Sequence, residues 1–361
     1  MEVKKTDWVR SASATATNTK ADTPLFPFLT RLIRGEDLST AESAAFFNAL
    51  TDSEANQAQI AGALTALTIK GETQEELAGM ASIMRKHSIK VKSSKKNVVD
   101  ITGTGSSTAK TFNISTAAAL VAAGAGLSIA KQSNKGGMSS SGSADVLAEF
   151  GVKIANEPAE AEMMLSGVGL CFLYAAKFHP ALGRIGTVRG SLGIRTCLNL
   201  LGMIANPVNV DRHLIGVWHS SLVEPIAGAL SLLNAEKAWV VHGCDGLDEI
   251  TATGETLICE AVRGSIRTFS VSPKDFGLKR GKIDHLRTKT AEGSAEIIRA
   301  VLASKRRDEA RTLIVMNAAA ALVVGGLADE PMHAARMAEQ SIDSGQAQNK
   351  LDRMIQTSNK K

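Results

Sequence analysis

Two segments of this chain combine glycine, hydroxyl and lysine residues directly after apolar, strand-like runs. The first, at 103–116, follows the apolar run 98–101 and leads into an alanine-rich, helix-like run. The second, at 131–143, follows the apolar run 127–130 and leads into another helical pattern. Glycines let backbone N–H groups approach a ligand, and a helix N-terminus adds unpaired donors and a positive dipole end. Each segment predicts a cradle for phosphate, although a tight turn or a flexible surface loop has a similar composition.

The two segments are predicted to bind one ligand that carries several phosphates. Ligands of parallel α/β sheets bind beyond the carboxyl ends of the strands, and these segments follow consecutive strand-like runs. The second segment adds two ammonium groups, Lys131 and Lys135, and the first adds hydroxyls that can donate to phosphate oxygens. Two of these hydroxyl residues, Ser115 and Thr116, stand where a side chain can cap the helix that follows.

Asp248 and Glu249 form a carboxylate pair after another strand-like run, at 238–241. Adjacent carboxylates on a loop suit Mg²⁺, which takes one or two carboxylates together with substrate phosphates. A solvated acidic turn has the same sequence, so both interpretations stand at this point.

An arginine and a histidine complete the candidate residues. Arg189 stands seven residues after Leu182 in a helical pattern, about two turns along the same face. It can therefore reach across a cleft to a carboxylate through charge-assisted hydrogen bonds. His179 precedes Pro180 and is either a residue of the acceptor site or a packed histidine.

The chain has 361 residues, of which 44% are hydrophobic, so two domains are expected. Apolar residues recur at helical spacing through 24–88, with a capping box predicted at Thr73-Gln-Glu-Glu76 and a lysine-rich linker at 90–96. Strand-like and helical runs then alternate, which indicates an α/β fold with a mainly parallel sheet flanked by helices, and a hairpin is predicted at 256–272. The predicted divisions are a flexible tail at 1–23, a small all-helical domain and linker at 24–96, a larger α/β domain at 97–345 and a C-terminal helix or tail at 346–361.

The composition restricts the environment and the partners. A net charge of +5 suits a polyanionic small substrate and equally suits nucleic acid. The four cysteines stand in apolar runs without metal-ligand spacing, so we expect buried free thiols of a reduced compartment. No apolar run has the length of a membrane-spanning helix, and residues 1–23 lack the apolar core of a signal peptide. We therefore expect a cytoplasmic protein without a membrane partner.

A set of ordered motifs resembles anthranilate phosphoribosyltransferases, running collinearly from about residue 25 to about residue 343. The motifs are Gly103-Thr-Gly105, Thr111-Phe-Asn-Ile-Ser-Thr116, Lys131 with Asn134, Gly142-Ser-Ala-Asp-Val-Leu147, Val188-Arg189, Gly193-Ile-Arg-Thr196, Asn199-Leu-Leu-Gly202, Asn206-Pro207 and Gly246-Leu-Asp-Glu249. The resemblance implies a fold like that of nucleoside phosphorylases and phosphoribosyltransferases, usually dimeric through the helical domain. It implies Mg²⁺-assisted transfer from 5-phosphoribosyl-1-pyrophosphate to anthranilate, with release of pyrophosphate, in tryptophan biosynthesis.

The resemblance also assigns roles to individual residues. The donor-binding residues are Gly103, Ser106, Ser107, Thr111, Asn113, Ile114, Ser115, Thr116, Lys131, Asn134, Lys135, Ser139 and Ser143. The acceptor-binding residues are Gly103, Asn134, His179 and Arg189, with Arg189 holding the anthranilate carboxylate. The metal-binding residues are Ser115, Asp248 and Glu249.

Both loops depart from the family pattern. The first loop of the family reads G-T-G-G-D-G, and here Ser106, Ser107 and Thr108 stand in place of its last three residues. The second loop of the family begins K-H-G-N-R, and here Gln132 replaces the histidine, Ser133 the glycine and Lys135 the arginine. Loss of the loop aspartate favours pyrophosphate, so we expect tight donor binding with slow turnover. The alternatives are a weak or inactive paralogue with another aromatic acceptor and a nucleic-acid-binding protein on the same fold.

Overall fold

The computed structural model describes residues 23–105, 107, 109, 111–134 and 141–360. Three of the predicted donor-binding residues, Ser106, Lys135 and Ser139, lie outside the described residues, as does the predicted tail apart from Thr23.

The described chain begins with a group of four helices. They are α1 (Phe26–Ile33), α2 (Thr40–Thr51), α3 (Gln57–Lys70) and α4 (Gln74–His87). The predicted capping box at the start of α4 is confirmed: Thr73 Oγ1 accepts from the Glu76 backbone N–H (3.2 Å), and the Glu76 carboxylate accepts from the Thr73 N–H (2.9 Å). Glu76 is fully buried and also accepts from Leu38 N–H (3.0 Å) and Lys70 Nζ (2.9 Å). This carboxylate therefore fixes the start of α4 and ties it to the loop before α2.

A seven-stranded sheet follows, with the strand order β3-β2-β1-β4-β5-β6-β7. The strands are β1 (Val99–Gly103), β2 (Ile129–Ser133), β3 (Leu170–Tyr174), β4 (Arg212–Gly216), β5 (Lys237–Gly243), β6 (Thr256–Val262) and β7 (Ser265–Val271). Strands β1 to β5 pair in parallel, whereas β6 and β7 pair antiparallel, which confirms the predicted mainly parallel sheet and its hairpin. The hairpin turns at Arg263 (φ 46°) and Gly264 (φ 89°), because two successive positive φ angles match the twist of tight hairpins.

The remaining helices connect and cover the strands. They are α5 (Ile114–Gly124), α6 (Ser143–Glu149), α7 (Pro158–Gly167), α8 (Ala175–Phe178), α9 (Leu182–Leu192), α10 (Cys197–Ile204), α11 (Val223–Leu232), α12 (Ala291–Leu302), α13 (Glu309–Val324), α14 (Pro331–Asp343) and α15 (Gln346–Ser358). No helix of the described chain is long and apolar enough to cross a membrane.

The sheet separates two layers of apolar packing. Successive strand residues point to opposite faces, so Leu214 and Val241 pack with α5 and α13, while Ile215 and Val240 pack on the other side. On that second face the apolar residues of α2 to α4 are continuous with those of α10 and α11, and Phe46 is fully buried there. The N-terminal helices therefore support the sheet face that leads to the ends of β4 and β5.

Two local expectations were wrong. The helix after the first loop begins at Ile114 with Asn113 as its N-cap, so Ser115 and Thr116 lie inside its first turn and do not cap it. Cys244 is exposed, whereas Cys171, Cys197 and Cys259 are buried free thiols as expected. The exposure of Cys244 follows from its position in the turn after β5, beyond the end of the apolar run.

Candidate active site

A cleft of about 400 Å³ opens beyond the carboxyl ends of β1 and β2, next to the point where the strand order reverses between β1 and β4. Its volume is within the range of small-molecule sites, and its position is where α/β sheets bind ligands. The predicted residues that line it are Gly103, Ser107, Thr111, Asn113, Ile114, Ser115, Thr116, Lys131, Asn134, Ser143, Arg189, Asp248 and Glu249. The structure thus brings the described residues of both predicted phosphate loops, the carboxylate pair and the arginine to one cleft.

The first loop is docked onto the turn that carries Asp248. The Thr104 hydroxyl and the Gly105 backbone N–H both donate to Asp248 Oδ2, each at 2.7 Å. Ser107 Oγ donates to the Gly246 carbonyl (2.7 Å). Gly103 allows this close approach, because a Cβ atom there would lie 3.3 Å from the Asp248 carbonyl oxygen. The described residues of the loop are therefore fixed to this turn by three hydrogen bonds.

The N-terminus of α5 points at the carboxylates. The Ser115 backbone N–H donates to Glu249 Oε1 (3.2 Å), so a donor of the first helical turn that has no partner within the helix is paired with a carboxyl oxygen. The Asn113 backbone N–H donates to Ser294 Oγ (2.8 Å), and Asn113 Oδ1 accepts from the same hydroxyl (2.9 Å). These contacts fix the start of α5 against α12, which leaves the helix N-terminus facing the cleft.

Lys131 is a buried amine on the cleft floor. Its side chain is 3% exposed, and Nζ donates to the Ile101 carbonyl (2.5 Å) and to Ser115 Oγ (3.2 Å). Burial lowers the pKa of this ammonium, while the charges of Asp100, Glu249 and Asp248 oppose that shift. Lys131 therefore supplies a hydrogen-bonded, fixed amine at the junction of the two loops.

Asp248 and Glu249 form an oxygen-rich pair at the cleft wall. Burial raises the pKa of the Glu249 carboxyl, and the adjacent charge of Asp248 raises it further. One oxygen of Asp248 is committed to the first loop, as described above. Two neighbouring carboxylates with a nearby serine hydroxyl form a hard oxygen donor set, and a divalent cation would relieve their mutual repulsion. The residues present therefore fit Mg²⁺.

The turn that carries this pair is clamped on both sides. Asp245 Oδ2 accepts from the hydroxyls of Thr251 (2.6 Å) and Thr253 (2.8 Å). Beyond Glu249, the buried amide of Asn317 accepts from the Ile250 N–H and donates to the Ile250 carbonyl, each at 2.9 Å. The carboxylates consequently project from a rigid segment, which suits a site that must hold fixed geometry.

Arg189 also lines the cleft. It projects from the last turns of α9 and is partly exposed, and burial lowers the pKa of its guanidinium. Among the described residues no carboxylate forms an ion pair with it. Leu198 and Met203 of α10 line the same cleft. An arginine next to apolar side chains is suited to an aromatic acid.

Among the predicted site residues that the structure describes, His179 is the one that does not line the cleft. It follows α8, its side chain is 3% exposed, and its Nε2 lies 3.1 Å from Oε1 of Gln132. Gln132 does line the cleft. The sequence could not show which of the two residues lines the cleft, because their contact joins elements that are distant in the chain. His179 therefore lies behind the wall, with Gln132 between it and the cleft.

Part of the cleft wall could not be predicted from the sequence. Four cleft-lining residues, Leu198, Asn199, Gly202 and Met203, come from α10. The motif Asn199-Leu-Leu-Gly202 was a signal, but its apolar residues by themselves indicate only a packed helix.

Comparison with known proteins identifies the family. Residues 26–88 match the helical bundle domain of a glycosyl transferase family, and residues 95–348 match its a/b domain. The anthranilate phosphoribosyltransferase of Rhodospirillum rubrum is 43% identical over 321 residues, which cover 89% of this chain and 92% of that protein. The enzyme of Moorella thermoacetica is 43% identical over 327 residues, which cover 91% and 96%. The chain belongs to the anthranilate phosphoribosyltransferase family.

Solved structures of this family have the same fold. The anthranilate phosphoribosyltransferase of Thermus thermophilus superposes with a TM-score of 0.86 at 32% identity, over 92% of this chain and 99% of that chain. The Saccharomyces cerevisiae enzyme in complex with PRPP and Mg superposes with a TM-score of 0.83 at 26% identity, over 93% and 98%. The expected family, fold and enzyme class are confirmed, and the alternative of a nucleic-acid-binding protein receives no support.

Proposed function

We propose that this enzyme transfers the phosphoribosyl group of 5-phosphoribosyl-1-pyrophosphate to anthranilate and releases pyrophosphate. The observation that carries the proposal is one cleft that is lined by residues of both predicted phosphate-binding segments, by the carboxylate pair and by Arg189. The reaction needs these three parts: an anion cradle, a place for Mg²⁺ and a cation for the acceptor's carboxylate. Relatives support the ligands, since yeast enzymes have been solved with PRPP and Mg and with 4-fluoroanthranilate.

The donor is assigned to the side of the cleft formed by the two loops. The N-terminal end of α5, where the helix dipole is positive, and the Lys131 side chain line this region, so both favour the negative charge of phosphate groups. The donor-binding set is Gly103, Ser106, Ser107, Thr111, Asn113, Ile114, Ser115, Thr116, Lys131, Asn134, Lys135, Ser139 and Ser143.

Mg²⁺ is assigned to Ser115, Asp248 and Glu249, whose oxygens suit it. When bound, the cation neutralises charge on the leaving pyrophosphate. In this chain Glu249 holds the Ser115 N–H, and Asp248 holds the first loop through Thr104 and Gly105. The two carboxylates therefore also connect the metal region to the loop that binds the donor.

The acceptor is assigned to the side lined by Arg189 and α10, with Gly103 and Asn134 between acceptor and donor. Arg189 can hold the carboxylate of anthranilate through paired, charge-assisted hydrogen bonds. An aromatic amine is a sufficient nucleophile without a catalytic triad. The residues of the cleft then act by positioning the amine at C1′ of the ribosyl group and by stabilising the charge that develops.

The biological setting follows from this reaction class. We propose a role in tryptophan biosynthesis, in the cytoplasm, by a homodimer that associates through the helical domain at 24–96. The exposed apolar residues Ile33 (55%) and Ile69 (81%) on these helices support such an interface. The larger domain, at 97–345, would then carry the whole cleft, with the helix at 346–358 packed against it.

Isothermal titration with the donor tests the proposal. We expect heat of binding with 5-phosphoribosyl-1-pyrophosphate in the presence of Mg²⁺, and weaker binding after chelation by EDTA. Absence of heat at millimolar donor and Mg²⁺ would contradict the proposal. A nucleic-acid-binding protein would instead shift labelled DNA, with an affinity that falls steeply as salt rises.

A further inference from the structure

A short exposed segment, residues 279–289, carries most of the excess positive charge of the chain. It contains five lysine or arginine residues and one aspartate, a formal net charge of +4 where the whole chain has +5. The five cationic side chains are all exposed, and they are Lys279, Arg280, Lys282, Arg287 and Lys289. The segment lies between β7 and α12, and none of its residues lines the cleft. We call it the basic segment.

Most of this charge is not neutralised by the protein. Arg287 pairs with the aspartate of the segment, Asp284, at 2.9 Å. The nearby carboxylates of Asp308 and Glu309 face His285, whose Nε2 lies 3.6 Å and 3.4 Å from their oxygens. Within the described chain no carboxylate forms an ion pair with any of the other four cations. Their charge is therefore available to attract an anion from solution.

Contacts near both ends hold the basic segment next to the cleft. Near its start, the Gly281 backbone N–H donates to the carbonyl of Ala252 (3.0 Å), in the loop that follows the carboxylate pair. At its end, Lys289 precedes the first residue of α12 by two positions. In the first turn of that helix Ser294 Oγ accepts from the backbone N–H of Asn113 (2.8 Å), a residue of the cleft lining. Roughly 12 Å of chain separates Lys289 from Ser294, so the basic segment lies at the rim of the cleft, beside the start of α5.

We propose that the basic segment attracts the phosphoribosyl donor to the mouth of the cleft by long-range electrostatics. This inference rests on the proposed function, which supplies a donor with a monophosphate and a pyrophosphate. Together these groups carry more negative charge than one Mg²⁺ neutralises, so the complex of donor and Mg²⁺ is still an anion. A concentrated positive charge raises the local concentration of such an anion and its association rate, without a contact in the bound complex.

The signature of this attraction is its dependence on salt. The screening length falls from about 30 Å at 0.01 M salt to about 3 Å at 1 M. Charges at the rim therefore act on the donor in low salt and are screened in high salt, whereas a hydrogen bond inside the cleft is much less affected.

A triple variant removes the lysine charges of the basic segment: Lys279→Gln, Lys282→Gln and Lys289→Gln. Calorimetry with 5-phosphoribosyl-1-pyrophosphate and Mg²⁺ measures the donor Kd. We expect the variant to raise this Kd about 3- to 10-fold in about 20 mM NaCl and less than about twofold in about 500 mM NaCl. Arginine at the same three positions keeps the charge and should leave the Kd within about twofold of the parent.

A second triple variant makes the same change of charge elsewhere: Lys92→Gln, Lys95→Gln and Lys96→Gln. These lysines are exposed and precede β1, so they lie toward the amino ends of the strands, away from the cleft. The donor Kd of this control should stay within about twofold of the parent at both salt concentrations.

A charge of the opposite sign gives an independent check. Glu292 is exposed in the first turn of α12 and brings a negative charge to the same rim. Glu292→Gln should therefore lower the donor Kd about 1.5- to 2-fold in low salt.

Three results would overturn the inference and leave the proposed function intact. They are equal donor affinity of the parent and the first triple variant in low salt, equal losses in both triple variants, and a loss that persists in high salt. A Glu292→Gln protein whose donor Kd is not lowered in low salt would overturn it as well. Absence of donor binding by the parent protein would instead overturn the proposed function, and this inference with it.

Discussion

Gly216, at the end of β4, leaves the space that the backbone of Asp248 occupies. A Cβ atom at position 216 would overlap the carbonyl oxygen of Asp248, and it would lie 3.3 Å from the Asp248 Cα. Gly216 is also the register partner of Gly103 on β1. The end of β4, the first loop and the turn that carries Asp248 are therefore packed against one another at their backbones. The position of the carboxylates depends on glycine at position 216, because any side chain there would overlap the turn.

Replacement of this glycine is expected to displace the turn. Gly216→Ala should lower the free energy of unfolding by about 1–3 kcal/mol, the usual cost of overpacking, and should weaken Mg²⁺-dependent donor binding. Gly186→Ala is a matched control, because that helical glycine has open space around its Cβ position and alanine favours helix by about 0.5–1 kcal/mol. Urea unfolding and donor titration measure both effects. A Gly216→Ala protein with unchanged stability and donor affinity would contradict the packing described here.

Arg189→Ala is expected to weaken the acceptor much more than the donor. Loss of a charge-assisted contact to a carboxylate costs about 1.5–3 kcal/mol, which corresponds to a roughly 10- to 150-fold rise in the acceptor KM. Arg195→Ala is the control, because the Arg195 guanidinium lies 4.8 Å from the Trp218 ring centroid and outside the cleft lining. Its loss should change the acceptor KM less than twofold. Steady-state kinetics with each substrate varied in turn measure both KM values. An unchanged acceptor KM in Arg189→Ala would mean that the arginine has only a structural role.

Restoration of the family's first loop is expected to weaken donor binding and to raise kcat. The triple variant Ser106→Gly, Ser107→Asp, Thr108→Gly places a carboxylate near the donor's phosphates, which costs about 1–3 kcal/mol at roughly 5 Å. Donor binding should therefore weaken, while kcat rises from a low parent value, since tight ground-state binding does not itself accelerate the reaction.

The control for this loop is Ser107→Ala, which removes the hydrogen bond to the Gly246 carbonyl without adding charge. Calorimetry gives the donor affinity and single-turnover kinetics give the rate. Tighter donor binding by the triple variant, or a parent kcat already above about 10 s⁻¹, the median for enzymes, would show that the loop account is wrong.

Buried His213 is expected to make stability fall in acid. Burial lowers the pKa of His213 to about 3, whereas a histidine in the unfolded chain titrates near pH 6.5. Between these values the unfolded chain binds a proton that the folded protein does not, so stability declines as pH falls, by about 1.4 kcal/mol per pH unit at most. The neighbouring Asp100 acts with opposite sign between about pH 4 and 6, because burial raises its pKa to about 6.

The contribution of His213 is isolated by difference. In His213→Leu the free energy of unfolding should fall less steeply between pH 6.5 and 4 than in the parent. The two slopes should differ by the uptake of about one proton, which is at most about 1.4 kcal/mol per pH unit. Urea unfolding across this range measures the slope. Parallel curves for parent and variant would mean that His213 takes up its proton in the folded protein as readily as in the unfolded chain.

Much of the fold and part of the site could be predicted from local patterns. The apolar runs ending in glycine or polar residues predicted the strands, and parallel topology then placed the loops after β1 and β2 at one edge. Helical periodicity was enough to orient Arg189 toward a cleft. These features depend on residues that are close in sequence, or on a rule that holds for the whole class of sheets.

The remaining features depend on contacts between distant residues. The hydrogen bond of His179 to Gln132 links residues 47 positions apart, so nothing local distinguished a residue in the wall from one behind it. The α5 start was misplaced because Asn113 takes the N-cap position without a side-chain cap, where a serine or threonine was the stronger local signal. The docking of the first loop on Asp248 spans 144 positions and was equally invisible.

The most direct test of the central claim is the loss of anthranilate fluorescence on mixing with purified protein, 5-phosphoribosyl-1-pyrophosphate and Mg²⁺. The proposed function predicts a loss that requires all three components, stops on addition of EDTA and is slowed at subsaturating anthranilate by Arg189→Ala but not by Arg195→Ala. Unchanged fluorescence with a folded parent protein that binds the donor would contradict anthranilate as the acceptor.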